Sequence, residues 1–298
     1  MSKRIGLIIN PTSGKGRGAV IGAEVAARLE AQGHEVVDLS DETAASARDR
    51  AVAGIASGLD VLAVTGGDGM VHFGVNLCAG TATVLAIVPA GTGNDIARAL
   101  DLPIHDPLAS AKVIASGTVR TIDAGRYLDA NGNPHWFAGV LGAGFDSVVN
   151  ERANTWAWPR GRMRYNLAIA RELPLFKPIP YVIEVDGVRH STQAMLVAVA
   201  NGPSYGGGML VCPNASFEDG MFDILIVHSI STIEFLKIFP TVFSGRHVGH
   251  PAVEILRGRE VRLEATGIVS YADGERFAAL PMSCVNVPGA LNVLVPNP

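Results

Sequence analysis

The sequence predicts an α/β protein in two parts: a doubly wound domain around a parallel sheet, then a β-sandwich domain. Three observations carry this. Strand and helix signals alternate through the first third of the 298 residues. Beyond that, strand signals follow one another with few helices between them. Glycine-rich turns stand after the first, third and fourth strands of the alternating part. Alternation of strand and helix specifies parallel strands covered by helices on both faces, and consecutive strands specify antiparallel pairing.

The elements follow in order. Arg4 to Asn10 reads as a buried strand. Arg17 to Gln32 reads as a helix: Ile21, Val25 and Leu29 recur at i, i+4 and i+8, and Gly33 stops the run. His34 to Leu39 is a second strand, Thr43 to Ser57 a helix ended by Gly58, and Val61 to Thr65 a third strand. Gly66-Gly67-Asp68-Gly69 opens another helix, and Thr83 to Val88 is a fourth strand stopped by Pro89. Asp106-Pro107 starts a helix with proline at its first position, where no backbone donor is needed. At about Ile122 the pattern changes, and the strand-like runs are Thr118 to Tyr127, His135 to Leu141, Tyr181 to Val185, Thr192 to Val199, Phe222 to His228, Val253 to Leu256, Glu260 to Glu264 and Ile268 to Tyr271. Asp186-Gly187 is a tight hairpin turn. Helices are expected at Met163 to Leu173 and from Ser231 to Phe243, and Ala290 to Pro296 is one more strand. The expected domains are therefore residues 1–122, completed by 290–298, and residues 123–289.

Composition excludes some functions. A net charge of −4 with dispersed Lys and Arg argues against a nucleic-acid partner held by phosphate neutralisation. Cys78, Cys212 and Cys284 are few and widely spaced, without metal-ligand spacing, so reduced thiols are expected. The N-terminus lacks the apolar stretch of a signal peptide, and no apolar run approaches the ~20 residues of a membrane span. These features predict a cytoplasmic protein that meets a membrane, if at all, at its surface. Trp156 to Arg171, where Trp156, Trp158 and Met163 stand among four arginines, is either a lipid-facing patch or a packed helix. The oligomeric state is open, a homodimer being one option.

The chemistry lies in the strand-end turns. Asn10-Pro11-Thr12-Ser13-Gly14-Lys15-Gly16 can bring backbone N–H groups and one ammonium to a phosphate, or can be an ordinary glycine-rich turn; it does not fit the Walker A pattern. Thr65-Gly66-Gly67-Asp68-Gly69 stands at the carboxyl end of a parallel strand, where such sheets bind ligands. A carboxylate beside a phosphate is repulsive unless Mg²⁺ bridges them, which assigns Asp68 to a metal; the other reading is a turn with a solvated Asp. Pro89-Ala90-Gly91-Thr92-Gly93-Asn94-Asp95 repeats the device, with Asn94 expected as an N-cap. All three turns fall on one edge of the expected sheet, which makes the first domain a nucleotide-binding domain.

Together these turns resemble the diacylglycerol kinase catalytic domain family, which includes bacterial lipid kinases and sphingosine kinases. The resemblance continues through Gly142-Ala143-Gly144-Phe145-Asp146, Gly206-Gly207-Gly208-Met209, Pro213 with Ala215, Asp219-Gly220 and Asp273-Gly274-Glu275. It implies ATP-dependent phosphorylation of a hydroxyl of diacylglycerol or a related lipid presented at a membrane surface. It implies Glu275 as general base, with Asp68, Asp273 and an acidic residue at the Asp219 turn in a network that holds Mg²⁺ through water. Nucleotide contacts would come from Asn10, Pro11, Thr12, Ser13, Gly14, Lys15, Ser40, Thr65, Gly66, Gly67, Gly69, Met70, Gly91, Thr92 and Asn94. A second Mg²⁺ would lie on the Asp219 carboxylate and the carbonyls of Ser216 and Met221. Met70 stands where the family usually has Thr, and Phe73 where it commonly has Glu. The alternatives are another kinase with the same Gly-Gly-Asp-Gly element, such as NAD kinase, and a non-catalytic nucleotide-binding regulator. NAD kinase would need an Asn-Asp-Glu element, whereas Asn94-Asp95 is followed by Ile96.

Overall fold

The computed structural model describes residues 2–156, 158, 162–172 and 176–297. Strands β1 (Arg4–Ile9), β2 (Glu35–Asp38), β3 (Val61–Gly66) and β4 (Val84–Pro89) alternate with helices α1 (Arg17–Ala31), α2 (Ala44–Ala56) and α3 (Asp68–Cys78). They pair in parallel in the order β2-β1-β3-β4. β3 is buried at every position, as a strand with both faces covered must be. Ile21, Val25 and Leu29 form the buried stripe of α1, as their spacing requires. Thr43 caps α2 through Ser46 N, and Asp106 caps α5 (Pro107–Ser116) through Ala109 N at 2.9 Å. Between β4 and α5 lies a short helix, α4 (Asp95–Ala99), that periodicity could not reveal.

The second half is an antiparallel β-sandwich. β5 (Thr118–Leu128), β6 (Pro134–Phe137), β7 (Val140–Gly144), β8 (Ile179–Val185), β9 (Val188–Ala200), β10 (Phe222–His228), β11 (Val253–Gly258), β12 (Glu260–Glu264), β13 (Val269–Ala272) and β14 (Glu275–Ala279) lead to β15 (Met282–Val295). Asp186 and Gly187 both take positive φ in the β8–β9 turn, matching the expected hairpin. Helices α6 (Phe145–Asn154), α7 (Arg162–Glu172) and α8 (Thr232–Ile238) cover one face, with Phe145, Val149, Ala168 and Phe235 in their core. The three cysteines are free and buried.

Several expectations need correction. His135 to Leu141 is two strands, because the N–H groups of Ala138 and Gly139 donate to the Asp273 carboxylate and leave the ladder. The helix expected to Phe243 stops at Ile238 and continues as a 3₁₀ turn, Phe239–Ser244, since Pro240 has no N–H to donate. The last strand starts at Met282 rather than Ala290. It pairs with β12 and β5 along its first part, then with β5 and β4 beyond a shift at Pro288-Gly289. α6 and β14 have no counterpart in the sequence reading.

Candidate active site

The three glycine turns meet at the carboxyl ends of β1, β3 and β4. Asn10 N donates to Thr65 O, and the N–H groups of Ala90 and Gly91 donate to Gly66 O. A Cβ on Gly14 would collide with Ala90 O, and one on Gly91 with Gly67 Cα, so these turns touch only because they lack side chains. Gly14, Lys15 and Gly16 all have positive φ, which leaves Lys15 exposed at the tip of the first turn. Asn10 Oδ1 accepts from Thr12 N and Oγ1, Ser13 N donates to Asn10 O, and Pro11 is exposed. Ser40 Oγ accepts from Ile9 N at 2.9 Å, which fastens the end of β2 to β1 beside this edge.

Asp68 opens α3 and points across to the third turn. Its carboxylate accepts from Asn94 N at 2.8 Å and Asp95 N at 2.7 Å. Burial raises its pKa to about 6; the nearby Asp95 and Asp273 charges add to this, and the two N–H bonds offset it in part. Asn94 stands at the N-cap position of α4, as expected, but its side chain makes no capping bond. It adopts a left-handed conformation, and its buried side chain both donates to and accepts from the Gly91 backbone, holding the turn from inside. Thr92 is exposed at the turn's tip, while Thr65 is fully buried in β3. Met70 packs over Gly66, and Met70 and Phe73 both lean on the first domain's core, so these two family departures fill apolar space.

The second domain brings its carboxylates to the same place. Asp273, at positive φ in the β13–β14 turn, accepts from Gly139 N at 2.8 Å and Ala138 N at 3.1 Å, and bonds His72 Nδ1 at 3.1 Å. His72 stands on α3, one turn after Asp68, and Asn76 holds its other ring nitrogen at 3.2 Å. Glu275 is exposed, and its Oε1 lies 2.5 Å from where a Cβ on Gly69 would stand. Asp68, Asp273 and Glu275 are thus gathered on one edge. A further bond closes the two halves: Asp95, on α4, accepts from Gly207 N at 2.7 Å and Gly208 N at 2.6 Å. Asp95 is the last residue of the third glycine motif and His72 stands three residues after the second, so both are near the motifs in sequence, but their partners are distant.

The Asp219 turn lies apart. Asp219 is ion-paired with Arg257, which also bonds Asp223 at 2.8 Å. Met221 O accepts from Asn286 Nδ2 at 3.2 Å, and Ser216 Oγ accepts from Glu218 N. Among the described residues no group of three or more His, Cys, Asp or Glu is arranged to hold a metal. In the Trp156 to Arg171 stretch, Trp156 packs on the α6–α8 core while Trp158 and Met163 are exposed. Arg160 and the side chains of Arg162 and Arg164 lie outside the described residues. No helix among the described residues is long and apolar enough to cross a membrane.

Fold and site together define a two-domain phosphotransferase scaffold, in which glycine turns from one half face carboxylates from the other. Residues 4–127 match the diacylglycerol kinase catalytic domain, and residues 139–295 match the YegS C-terminal NAD kinase beta sandwich-like domain. A diacylglycerol kinase of Mycobacterium tuberculosis (strain H37Rv) is 42% identical over 295 residues, covering 99% of this chain and 96% of the relative. One from Bacillus subtilis (strain 168) is 28% identical, covering 99% of this chain and 97% of the relative. A solved structure from Bacillus anthracis (strain Sterne) superposes with a TM-score of 0.79 at 25% identity, covering 99% of this chain and 98% of that one. The chain belongs to the diacylglycerol kinase catalytic domain family.

Proposed function

We propose that this protein transfers the γ-phosphoryl group of ATP to a hydroxyl of diacylglycerol or a related lipid at a membrane surface. The observation that carries this is the meeting of Glu275, from the β-sandwich, with the Asp68 end of α3 and the glycine turns. The turns offer backbone N–H groups to the phosphates, and Lys15 offsets their charge. Asn10, Thr12, Ser13, Thr92 and the residues around them form the nucleotide edge, with Ser40 beside it. The acceptor approaches from the β-sandwich side. Its hydroxyl oxygen forms a bond to the γ-phosphorus as the bond from that phosphorus to the β–γ bridging oxygen breaks, and ADP leaves with that oxygen. The Glu275 carboxylate, exposed and without a hydrogen bond among the described residues, takes the hydroxyl proton.

This edge fits a divalent cation. Asp68 keeps lone pairs beyond its two backbone N–H bonds, whereas the Asp273 side chain is fully enclosed; burial first, and then the Asp95 and Asp273 charges, raise the Asp68 pKa, and a cation beside Asp68 would relieve both. Asp68 would hold Mg²⁺ through water, with the enclosed Asp273 adding its charge from behind, and the cation would offset phosphate charge. The Asp219 turn fits less well. Arg257 already balances its carboxylate and Asn286 occupies the Met221 carbonyl, so a cation there would have to displace both, and no step is assigned to it.

The domain division proposed is residues 1–122 with 290–298, and residues 123–289. The test of function is ATP consumption with radiolabelled ATP and Mg²⁺ across dioctanoylglycerol, other lipid alcohols and NAD. Phosphorylation of NAD alone would replace the lipid reading with that of an NAD kinase. Turnover with no acceptor, although nucleotide binds, would point to a regulator.

A further inference from the structure

The helical run Thr232–Ser244 is apolar on both faces. Phe235 and Val242 are buried in the core beneath it. Ile233, Leu236, Pro240 and Phe243 recur at i, i+3, i+7 and i+10 on the opposite face, and Ile233, Leu236 and Phe243 are 68%, 53% and 50% exposed. A helical run with its buried side in the core and a second apolar stripe left exposed on the other side marks an interaction surface. Beside the stripe runs an open groove lined by Ile233, Lys237, Ile238, Arg246 and His250. One acid, Glu234, lies there, 3.5 Å from His250, and Lys237 and Arg246 are exposed cations that pair with no acid among the described residues.

The same segment is tied to the candidate active site. Leu210 N donates to Val242 O, and His247 Nε2 bonds Val211 O at 3.0 Å. Three and two residues upstream of Leu210, Gly207 and Gly208 hold Asp95 at the end of the third glycine turn. The stripe therefore belongs to the wall of the β-sandwich that continues into the cleft between the halves.

We propose that Ile233, Leu236, Pro240 and Phe243, with Lys237 and Arg246, dock the protein on an anionic bilayer surface. This rests on the reading that the acceptor is a membrane lipid. An apolar stripe edged by cations is the pattern of an interfacial helix lying in the headgroup plane. The stripe offers on the order of a few hundred Å² of apolar surface. That is less than the roughly 800 Å² per partner that a stable protein–protein interface needs, so a bilayer fits it better than a second copy.

The test compares Leu236→Glu with Phe243→Glu, and separately Lys237→Glu with Arg246→Glu, against the full wild-type chain. Pelleting with vesicles of phosphatidylglycerol and phosphatidylcholine is measured first, without ATP. The apolar double variant is expected to lose about tenfold or more in vesicle-bound fraction, and the charge variant to lose binding that high salt also removes. Activity on vesicle-borne diacylglycerol should fall with binding, while activity on micellar dioctanoylglycerol stays within about twofold of wild type. All four positions are exposed, so thermal melts should match. Unchanged pelleting of both variants, or no pelleting of wild type, overturns the proposal. So does a wild-type dimer that the apolar variant splits while pelleting is unchanged. Failure of the lipid-kinase reading would look different: neither acceptor would be phosphorylated, yet pelleting would still respond to the variants.

Discussion

Asp273 and Glu275 are two residues apart and do opposite work. The Asp273 carboxylate is buried and takes two backbone N–H groups and His72, so removing it would strand buried donors. Glu275 is exposed and carries no such duty. Glu275→Gln should therefore lower kcat by ~10²–10⁴-fold. Nucleotide affinity, measured by titration of the folded variant, should stay nearly unchanged. A variant keeping more than about a third of wild-type turnover would remove Glu275 as the base, since even a weak general base contributes far more than that. Asp146 on α6 offers a separate test. Burial raises its pKa to about 6, with bonds from Ser147 and the Tyr205 hydroxyl offsetting this in part, and its Oδ1 has no hydrogen bond among the described residues. The unfolded chain releases this proton near pH 4 and the folded protein near pH 6, so in between the native state binds more protons and stability falls as pH rises. Asp146→Asn removes that dependence. Its melting temperature relative to wild type should rise from pH 4 to pH 7, by the equivalent of up to about 3 kcal/mol. A pH-independent difference would mean that Asp146 titrates normally.

At the scale of elements, the site is an agreement among turns. Gly67 and Gly91 bring β3 and β4 into backbone contact, and Asn94 braces the turn from within. α4 is too short to be stable alone. Its first residue, Asp95, joins the Asp68 carboxylate on one side to the Gly207 and Gly208 amides on the other. Charge-assisted bonds of this kind are the stronger ones. Asp95→Ala should cost about 1–3 kcal/mol in denaturant unfolding and speed amide hydrogen exchange at Gly207 and Gly208 more than elsewhere. Unchanged protection at those two amides would show that the bond does not hold the halves together.

For the whole molecule, β5 and β15 matter most. β15 pairs with β12 of the sandwich, with β5 along most of its length, and with β4 of the parallel sheet. At its register shift, Gly289 N donates to Asp123, whose other oxygen accepts from Gly220 N beside the Asp219 turn. The strands thus form one continuous hydrogen-bonded path through both halves. Calorimetry should give a single cooperative transition whose van't Hoff and calorimetric enthalpies agree. Two resolved transitions would mean that the halves fold separately.

Short-range physics left a clear trace in the sequence. The Ile21, Val25 and Leu29 stripe, the Thr43 and Asp106 caps and the Asp186-Gly187 hairpin each depend on residues a few positions apart. The three glycine turns were legible because only glycine permits such close backbone approach, and their place after strands one, three and four put them on one edge. What lay hidden depends on partners far along the chain. Asp273 reaches Gly139 and His72, 134 and 201 residues away, and by doing so cuts one expected strand into β6 and β7. Asn94 looks like a cap by type, yet burial turns its side chain back onto Gly91. Arg257 settles on Asp219 only because β11 brings it there from 38 residues away. The sequence by itself determined the fold class, the alternation of β1 to β4 with α1 to α3 and the residue types at the site, because periodicity and turn chemistry are local. The tertiary structure alone decided which carboxylates share an edge, which polar groups are consumed in holding it, and which apolar face stays open, because burial and pairing depend on the whole chain.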